Sequence, residues 1–333
     1  VTAKVYGMVE NIDDNVGRLL AALDTLKLTG RTVVIFMTDN GPQQPRYNDG
    51  LPRLKGTVHE GGIRVPFVVR WPGVFQPRTV DRIAAHIDVM PTLLEVTGVA
   101  KPPAVKFDGV SLVPLLRGEG GGWPDRTLFF QWHRGDVPEL HRAFAARSQR
   151  YKLMQPLGNG ANKPQTFGFE LYEMAADPLQ QRNVAAEQPE IVTRMTNQYE
   201  AWFKDVTGGR DYTDRGIARI VIGSPRENPV RLTRQDWRGP QAAWTATSLG
   251  YWEVDVRRAG SYDVTLRFAE LATRGTVSFA LGASSLQKEV EAGTSSAIFT
   301  RVRLPRGAGR LESWVTQGDR RIGVLDTVLT LRR

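Results

Sequence analysis

Two apolar runs, TVVIFM at residues 32–37 and VPFVVRWP at 65–72, constrain this chain more than any other feature. Their β-branched content and lack of polar alternation predict strands buried on both faces, the pattern of parallel sheets. Ahead of the first run, Val5, Met8, Ile12, Val16, Leu19, Leu20, Leu23 and Leu26 recur at helical spacing, with Gly30 as the expected stop. Behind the second, DVMPTLLEVTG at 88–98 predicts a short helix with Asp88 as N-cap, Pro91 in the first turn and Gly98 closing it. Helix, buried strand, long loop, buried strand, helix is an α/β unit.

The texture changes after a glycine-rich joint, LLRGEGGGWPD at 115–125. TLFFQW (127–132), AFAARSQRYKLM (143–154) and FELYEM (169–174) predict three strands of a small antiparallel sheet. The segment 189–206 then reads as an amphipathic helix, with Ile191, Met195, Tyr199, Trp202 and Phe203 on one side. TGGRDYTDRG at 207–216 has the composition of a linker. Beyond it, YWEVDVRRAGSYDVTLRFA (251–269) alternates apolar and polar residues on either side of Arg258–Gly260, the pattern of a hairpin with one wet face. Further strands fit at 217–222, 275–281, 297–304, 311–316 and 322–331, and about eight short strands imply a β-sandwich. The expected division is therefore an α/β part over 1–124, an antiparallel sheet with a helix over 125–207, and an all-β sandwich over 208–333.

The 333-residue chain has room for two domains and holds no cysteine, which excludes disulfides, thiolate metal sites and cysteine nucleophiles within it. No run of eighteen apolar residues exists, so no membrane partner is expected. The opening residues lack the pattern of a signal peptide and read as a helix from the middle of a domain, so a longer precursor is expected. The net charge of +9 is uneven, for residues 208–333 hold 20 Lys and Arg against 13 Asp and Glu. A basic excess attracts polyanions, or simply keeps a surface soluble. No dense Lys/Arg block appears, and no nucleic-acid partner is expected. Trp237, Trp244, Trp252 and Trp314 in the sandwich segment suit either sugar binding or its core.

The candidate chemistry lies between the two apolar runs. Asp39 and Asn40 follow the first run at the edge where α/β folds bind ligands, and their hard oxygens suit Ca²⁺ or Mg²⁺. The same Asp-Asn-Gly is also a turn signal in its own right. Lys55, in RLKGTVHEGG, is a cation among residues that allow close backbone approach, which suits an oxyanion such as sulfate or phosphate; a solvated surface lysine is the alternative. His59 would donate to the same oxyanion, or serve only the loop. In QWHRGDVPELHR (131–142), His133 and Arg134 would contact substrate, or hold the domain edge together.

The succession MVENIDDNVGRLLAALDTLKL, TVVIFMTDNGP, LKGTVHEGGIRVPFVVRWPG, AHIDVMPTLLEVTG, DGVSLVPLL, RYKLM and ELYEMAADPLQQRNVA resembles the C-terminal portion of a type I, formylglycine-dependent sulfatase of the alkaline-phosphatase-like superfamily. The resemblance covers roughly residues 3–206. It implies that Asp39 and Asn40 contribute to one Ca²⁺ site, alongside two aspartates from near the family's N-terminus. It implies also that Lys55 contacts the sulfate. The substrate class it implies is a sulfated small molecule or glycan, and exported enzymes, periplasmic or secreted, are the expected setting.

This sequence departs from the family in lacking the Cys/Ser-x-Pro-x-Arg signature that supplies formylglycine. GSPRE at 223–227 has the wrong spacing and lies in the sandwich segment. The expectation is a fragment of a sulfatase, inactive alone, whose nucleophile and remaining metal ligands belong to a missing N-terminal part of the same protein. A phosphoryl hydrolase or transferase of the same superfamily, and a non-catalytic glycan- or polyanion-binding protein, stay open as alternatives.

Overall fold

The computed structural model describes residues 2–45, 47–135, 137–159, 168–209, 211–212 and 217–332. They form two compact units, Val1–Gly209 and Arg210–Arg333. The class is α/β with a C-terminal β-sandwich.

The first unit opens with helix α1 (Thr2–Thr25), which buries none of its residues. Met8 and Ile12 of the apolar stripe are 66% and 51% exposed, although an amphipathic helix ordinarily covers such a stripe. The helix ends before the expected Gly30. Lys27 takes the left-handed conformation at φ 56°, and the Leu28 N–H donates back to the Leu23 carbonyl. Strand β1 (Val34–Met37) and strand β2 (Phe67–Arg70) come from the two apolar runs. They pair antiparallel with each other, Val34 opposite Arg70 and Met37 opposite Phe67, in a sheet of two strands. The expected parallel, doubly buried arrangement is not what this chain builds, since Phe36 and Val68 remain 40% and 56% exposed.

Helix α2 (Glu60–Ile63) is a single turn within the long loop, and helix α3 (Val89–Thr97) follows β2. Gly98 closes α3 in the left-handed conformation, as its position implies. Asp88 makes no side-chain cap on α3. Its carboxylate is fully buried and accepts instead from the backbone N–H groups of Ala85 and Val110 and from both terminal nitrogens of Arg126. Helix α4 (Val113–Arg117) ends at the glycine-rich joint.

Four strands, β3 (Leu128–Gln131), β4 (Phe144–Arg147), β5 (Tyr151–Gln155) and β6 (Glu170–Glu173), then make an antiparallel sheet in sequence order. The segment read as one strand over 143–154 is a tight hairpin, β4–β5, so the sheet has four strands where three were expected. Helix α5 (Pro189–Thr207) covers one face. Met195 and Tyr199 pack on Phe144, Leu153 and Leu171, with the Tyr199 and Phe144 rings stacked at 3.8 Å. The other face meets the long loop through Val58, which packs with Ala145, Met154, Tyr172 and Met174. Every residue of β5 is buried, as its place between a helix and a loop requires.

The described residues of the second unit form a sandwich of ten strands: β7 (Ile220–Ile222), β8 (Val230–Thr233), β9 (Tyr251–Val256), β10 (Gly260–Arg267), β11 (Gly275–Leu281), β12 (Ser284–Val290), β13 (Ser296–Leu304), β14 (Gly307–Gln317), β15 (Arg320–Gly323) and β16 (Asp326–Leu331). One sheet runs β13-β10-β16-β8; the other runs β12-β11-β14-β9-β7, with β15 on β14. Inner-face residues of both, among them Leu232, Val264, Leu266 and Leu329 against Trp252, Val277, Phe279 and Val315, form one core. Strands β9 and β10 were expected to pair as a hairpin, but they lie in different sheets, so the turn at Arg258–Gly260 carries the chain across the sandwich. Trp237 and Trp252 belong to the core, whereas Trp244 is 70% exposed.

Candidate functional site

Asp39 and Asn40 stand just beyond the end of β1, and two backbone hydrogen bonds fold the loop after them onto the Lys55 loop. The Gly41 N–H donates to the Gly62 carbonyl at 3.0 Å, and the Lys55 N–H donates to the Pro42 carbonyl at 3.0 Å. The approach depends on glycine. A β-carbon on Gly41 would stand 1.8 Å from the Gly61 carbonyl oxygen, and one on Gly61 would meet the Arg53 and Pro52 carbonyls at 2.3 and 2.5 Å. The Asp-Asn-Gly turn and the Lys-Gly loop, more than a dozen residues apart in sequence, are thereby laid side by side. The Asp39 and Lys55 side chains are both exposed.

The Lys55 loop is anchored from beneath by charge. Glu60, 5% exposed, accepts a 2.9 Å hydrogen bond from the ammonium of Lys152 on β5, which is fully buried; Arg147 approaches the same carboxylate at 3.8 Å. The Glu60 N–H is in turn satisfied by the side-chain oxygen of Gln180 at 2.9 Å. Burial lowers the Lys152 ammonium to a pKa of about 8, against the opposing attraction of Glu60. Nothing in the sequence pattern marked this pair. A lysine in RYKLM reads as a wet position, and Glu60 lies far upstream.

His59 sits at the start of α2. Burial, with the charges of Lys152 and Arg53, lowers its pKa from 6.5 to about 4, and its Nδ1 is a buried atom without a hydrogen-bond partner. It is therefore neutral at pH 7. Because the folded value lies below the unfolded one, its contribution to stability is present above about pH 6.5 and is lost as pH falls towards 4. In an NMR titration the His59 imidazole should stay neutral at pH 5.5; a midpoint near the model-peptide value would contradict this environment.

The loop after β3 meets the Lys-Gly turn from another side. A β-carbon on Gly56 would lie 3.6 Å from the Trp132 indole, and Asn159 donates to the Gly56 carbonyl at 2.7 Å. Trp132 and Asn159 were not singled out by sequence; the aromatic residue ending TLFFQW was the available signal. His133, expected as a substrate contact, uses both ring nitrogens inside its own loop. Nε2 accepts from the Glu139 N–H at 3.2 Å, which leaves Nδ1 to donate to the Arg134 carbonyl at 3.0 Å. In this arrangement the ring braces its own loop, the second of the two roles its position suggested. Arg134 is exposed, and its N–H is held by the Asn159 carbonyl at 3.2 Å.

Asp39 and Asn40 suit calcium in the type of donor they offer, but they fall short of the six to eight oxygens it takes. Among the described residues no group of three or more His, Cys, Asp or Glu side chains is placed to hold a metal ion.

Residues 1–99 match the family model described as Sulfatase, and residues 54–205 match the model described as N-sulphoglucosamine sulphohydrolase, C-terminal. Residues 1–205 belong to the sulfatase family. Among curated relatives, arylsulfatase A of Bos taurus is 42% identical over 146 residues, covering 42% of this chain and 28% of that protein. A sulfatase of Formosa agariphila is 34% identical over 226 residues, covering 60% of this chain and 39% of that protein. An N-acetylgalactosamine-6-O-sulfatase of Bacteroides thetaiotaomicron is 27% identical over 221 residues, covering 58% and 40%. The chain thus spans well under half the length of these relatives. The sandwich unit lies beyond the residues that the two family models match.

Proposed function

We propose that this chain carries part of the active centre of a sulfatase that hydrolyses sulfate monoesters, aryl or carbohydrate. The observation that carries the reading is the pair of backbone hydrogen bonds that hold the Asp39–Asn40 turn against the Lys55 loop. An oxygen-donor pair for a hard cation and an ammonium for an oxyanion are placed on two loops that cannot separate without breaking those bonds. Membership of the sulfatase family supplies the ester class.

Asp39 and Asn40 would contribute two oxygens to Ca²⁺, which when bound polarises a sulfate oxygen. Lys55 would place its ammonium against the negative charge of the sulfate oxygens, and water-poor surroundings would strengthen that attraction. The Lys152–Glu60 pair holds the loop that presents Lys55. The formylglycine nucleophile and the other calcium ligands are assigned to an N-terminal part of the same protein outside this chain. The uncovered apolar stripe of α1 and the open faces of β1 and β2 support that assignment, for they are the surfaces such a part would cover. Export to the periplasm or the medium is proposed as the setting. No helix among the described residues is long and apolar enough to cross a membrane.

Turnover of an aryl sulfate and the matching aryl phosphate tests the reading. This chain alone should hydrolyse neither. The polypeptide extended by its N-terminal part should hydrolyse the sulfate in preference, and Lys55→Ala within it should lose about 10²–10³-fold in kcat. Turnover by this chain alone, or preference for the phosphate, would contradict the assignment.

A further inference from the structure

The outer face of the four-stranded sheet in the sandwich unit is strongly basic. Tyr262, Val264 and Leu266 of β10 point into the core, so alternation turns Ser261, Asp263, Thr265 and Arg267 outward. The strand register sets Arg303 opposite Ser261, Ile298 opposite Thr265 and Ser296 opposite Arg267 on β13; it sets Asp326, Val328 and Thr330 on β16; and it continues to Arg231 on β8. A bulge between Tyr262 and Val264 adds Arg301, whose N–H donates to the Asp263 carboxylate at 3.1 Å. Arg332 follows β16 and pairs with the same carboxylate at 2.8 Å. Five arginines therefore share this face with two aspartates.

Both aspartates are used to hold arginines. Asp326, buried at its carboxylate, takes Arg231 at 2.7 Å and Arg267 at 2.8 Å, yet those two side chains stay 58% and 45% exposed. A guanidinium has five N–H donors, and one carboxylate shared between two of them leaves donors directed to solvent on each. Arginines fixed in this way have already lost rotamer freedom, so an anion binding them gives up less entropy on association. Arg301 and Arg303 are exposed beside them. Thr265, Thr330, Ser261 and Ser296 fill the places between, which keeps the face flat and supplies hydroxyls. On the other sheet the acids are matched by arginines, Glu253 by Arg219 and Arg310, Asp255 by Arg257 and Glu289 by Arg274.

We propose that this face binds a sulfated polysaccharide, the arginines taking its sulfate groups and the hydroxyls its sugars. The identity of the polyanion rests on the sulfatase reading of the first unit; the charge and flatness of the face do not depend on it. A site of this kind would keep a polymeric substrate attached between cleavages.

The test uses the whole chain with chondroitin sulfate, followed by fluorescence anisotropy over a series of salt concentrations. The double variant Arg301→Asn, Arg303→Ser leaves both aspartate clusters paired, and asparagine tolerates the left-handed conformation of residue 301, at φ 57°. It should bind at least about tenfold more weakly, with the slope of log K against log salt reduced by about two. The variant Lys288→Ser, Arg320→Ser removes the same charge elsewhere on the unit and should bind within about twofold of the parent. Unsulfated hyaluronan and duplex DNA should each bind at least about tenfold more weakly than chondroitin sulfate. Equal binding by the two double variants, DNA binding as tight as the glycan, or no binding at all would overturn the proposal. No turnover is needed for this readout. Failure here with sulfate hydrolysis intact removes only the basic face, and binding without hydrolysis in the extended polypeptide removes only the sulfatase reading.

Discussion

Asp88→Ala should destabilise the first unit by about 3–5 kcal/mol, as expected when one partner of a buried ion pair is removed. The Arg126 side chain is only 12% exposed and gives both terminal nitrogens to Asp88, at 2.7 and 2.5 Å. The same carboxylate accepts from the Ala85 and Val110 N–H groups at 2.8 and 2.9 Å. Alanine leaves a buried guanidinium without its counterion and two backbone donors without acceptors, and each unmet group carries its own desolvation cost. Asp88→Asn retains the shape and part of the acceptor capacity and should lose less. Urea unfolding followed by hydrogen exchange in peptides of residues 83–98 measures both variants. A loss below about 1 kcal/mol for alanine, in the range of an exposed ion pair, would show that Asp88 does not hold this region together.

Lys152→Met should be of similar size, about 3–5 kcal/mol, because it leaves the Glu60 carboxylate buried with only Arg147 nearby, at 3.8 Å. Glu60→Gln in the same chain should restore much of the loss, since the double variant strands no charge. The pH dependence gives an independent check. The folded pKa of Lys152, about 8, lies below the unfolded value of 10.5, so the unfolded state binds more protons between them. Stability contributed by this group therefore rises as pH climbs from about 8 to 10.5, and falls again as pH drops through 8. Hydrogen exchange over residues 144–155 should show that rise in the parent and not in Lys152→Met. Parallel profiles for the two proteins would mean that Lys152 is not buried against Glu60.

These two residues also mark where the sequence stops being readable. Asp88 precedes a helix, and an acidic residue there has the local signature of a cap; its actual partner, Arg126, belongs to a segment 38 residues away. Lys152 pairs with Glu60 across 92 residues, and no periodicity reports a contact of that range. Alternation in the sandwich unit correctly assigned faces, so Trp252, Val254, Tyr262 and Val264 are core residues as their spacing implied. It could not assign partners, because either pairing of β9 and β10 leaves the same residues inside. The apolar runs of β1 and β2 are the inverse case. Their composition fits a strand covered on both sides, and this chain supplies only an antiparallel partner.

The site was legible to the extent that motifs are short and local. Asp-Asn-Gly and Lys-Gly mark two loops, and the structure joins them through Gly41, Pro42, Lys55 and Gly62. What the motifs do not encode is the support beneath: Val58 seated on the small sheet, Trp132 across Gly56, and a neutral His59 with a buried nitrogen. These depend on strands β3 to β6, which enter the chain long after the loop they carry.

The central claim is that Asp39, Asn40 and Lys55 are one part of a centre whose remainder precedes Val1 in the same protein. Reading the coding sequence upstream of Val1 tests it most directly. The account predicts an aspartate pair and a Cys/Ser-x-Pro-x-Arg signature in that stretch. A coding sequence that starts at Val1, or an upstream stretch with neither feature, would contradict it.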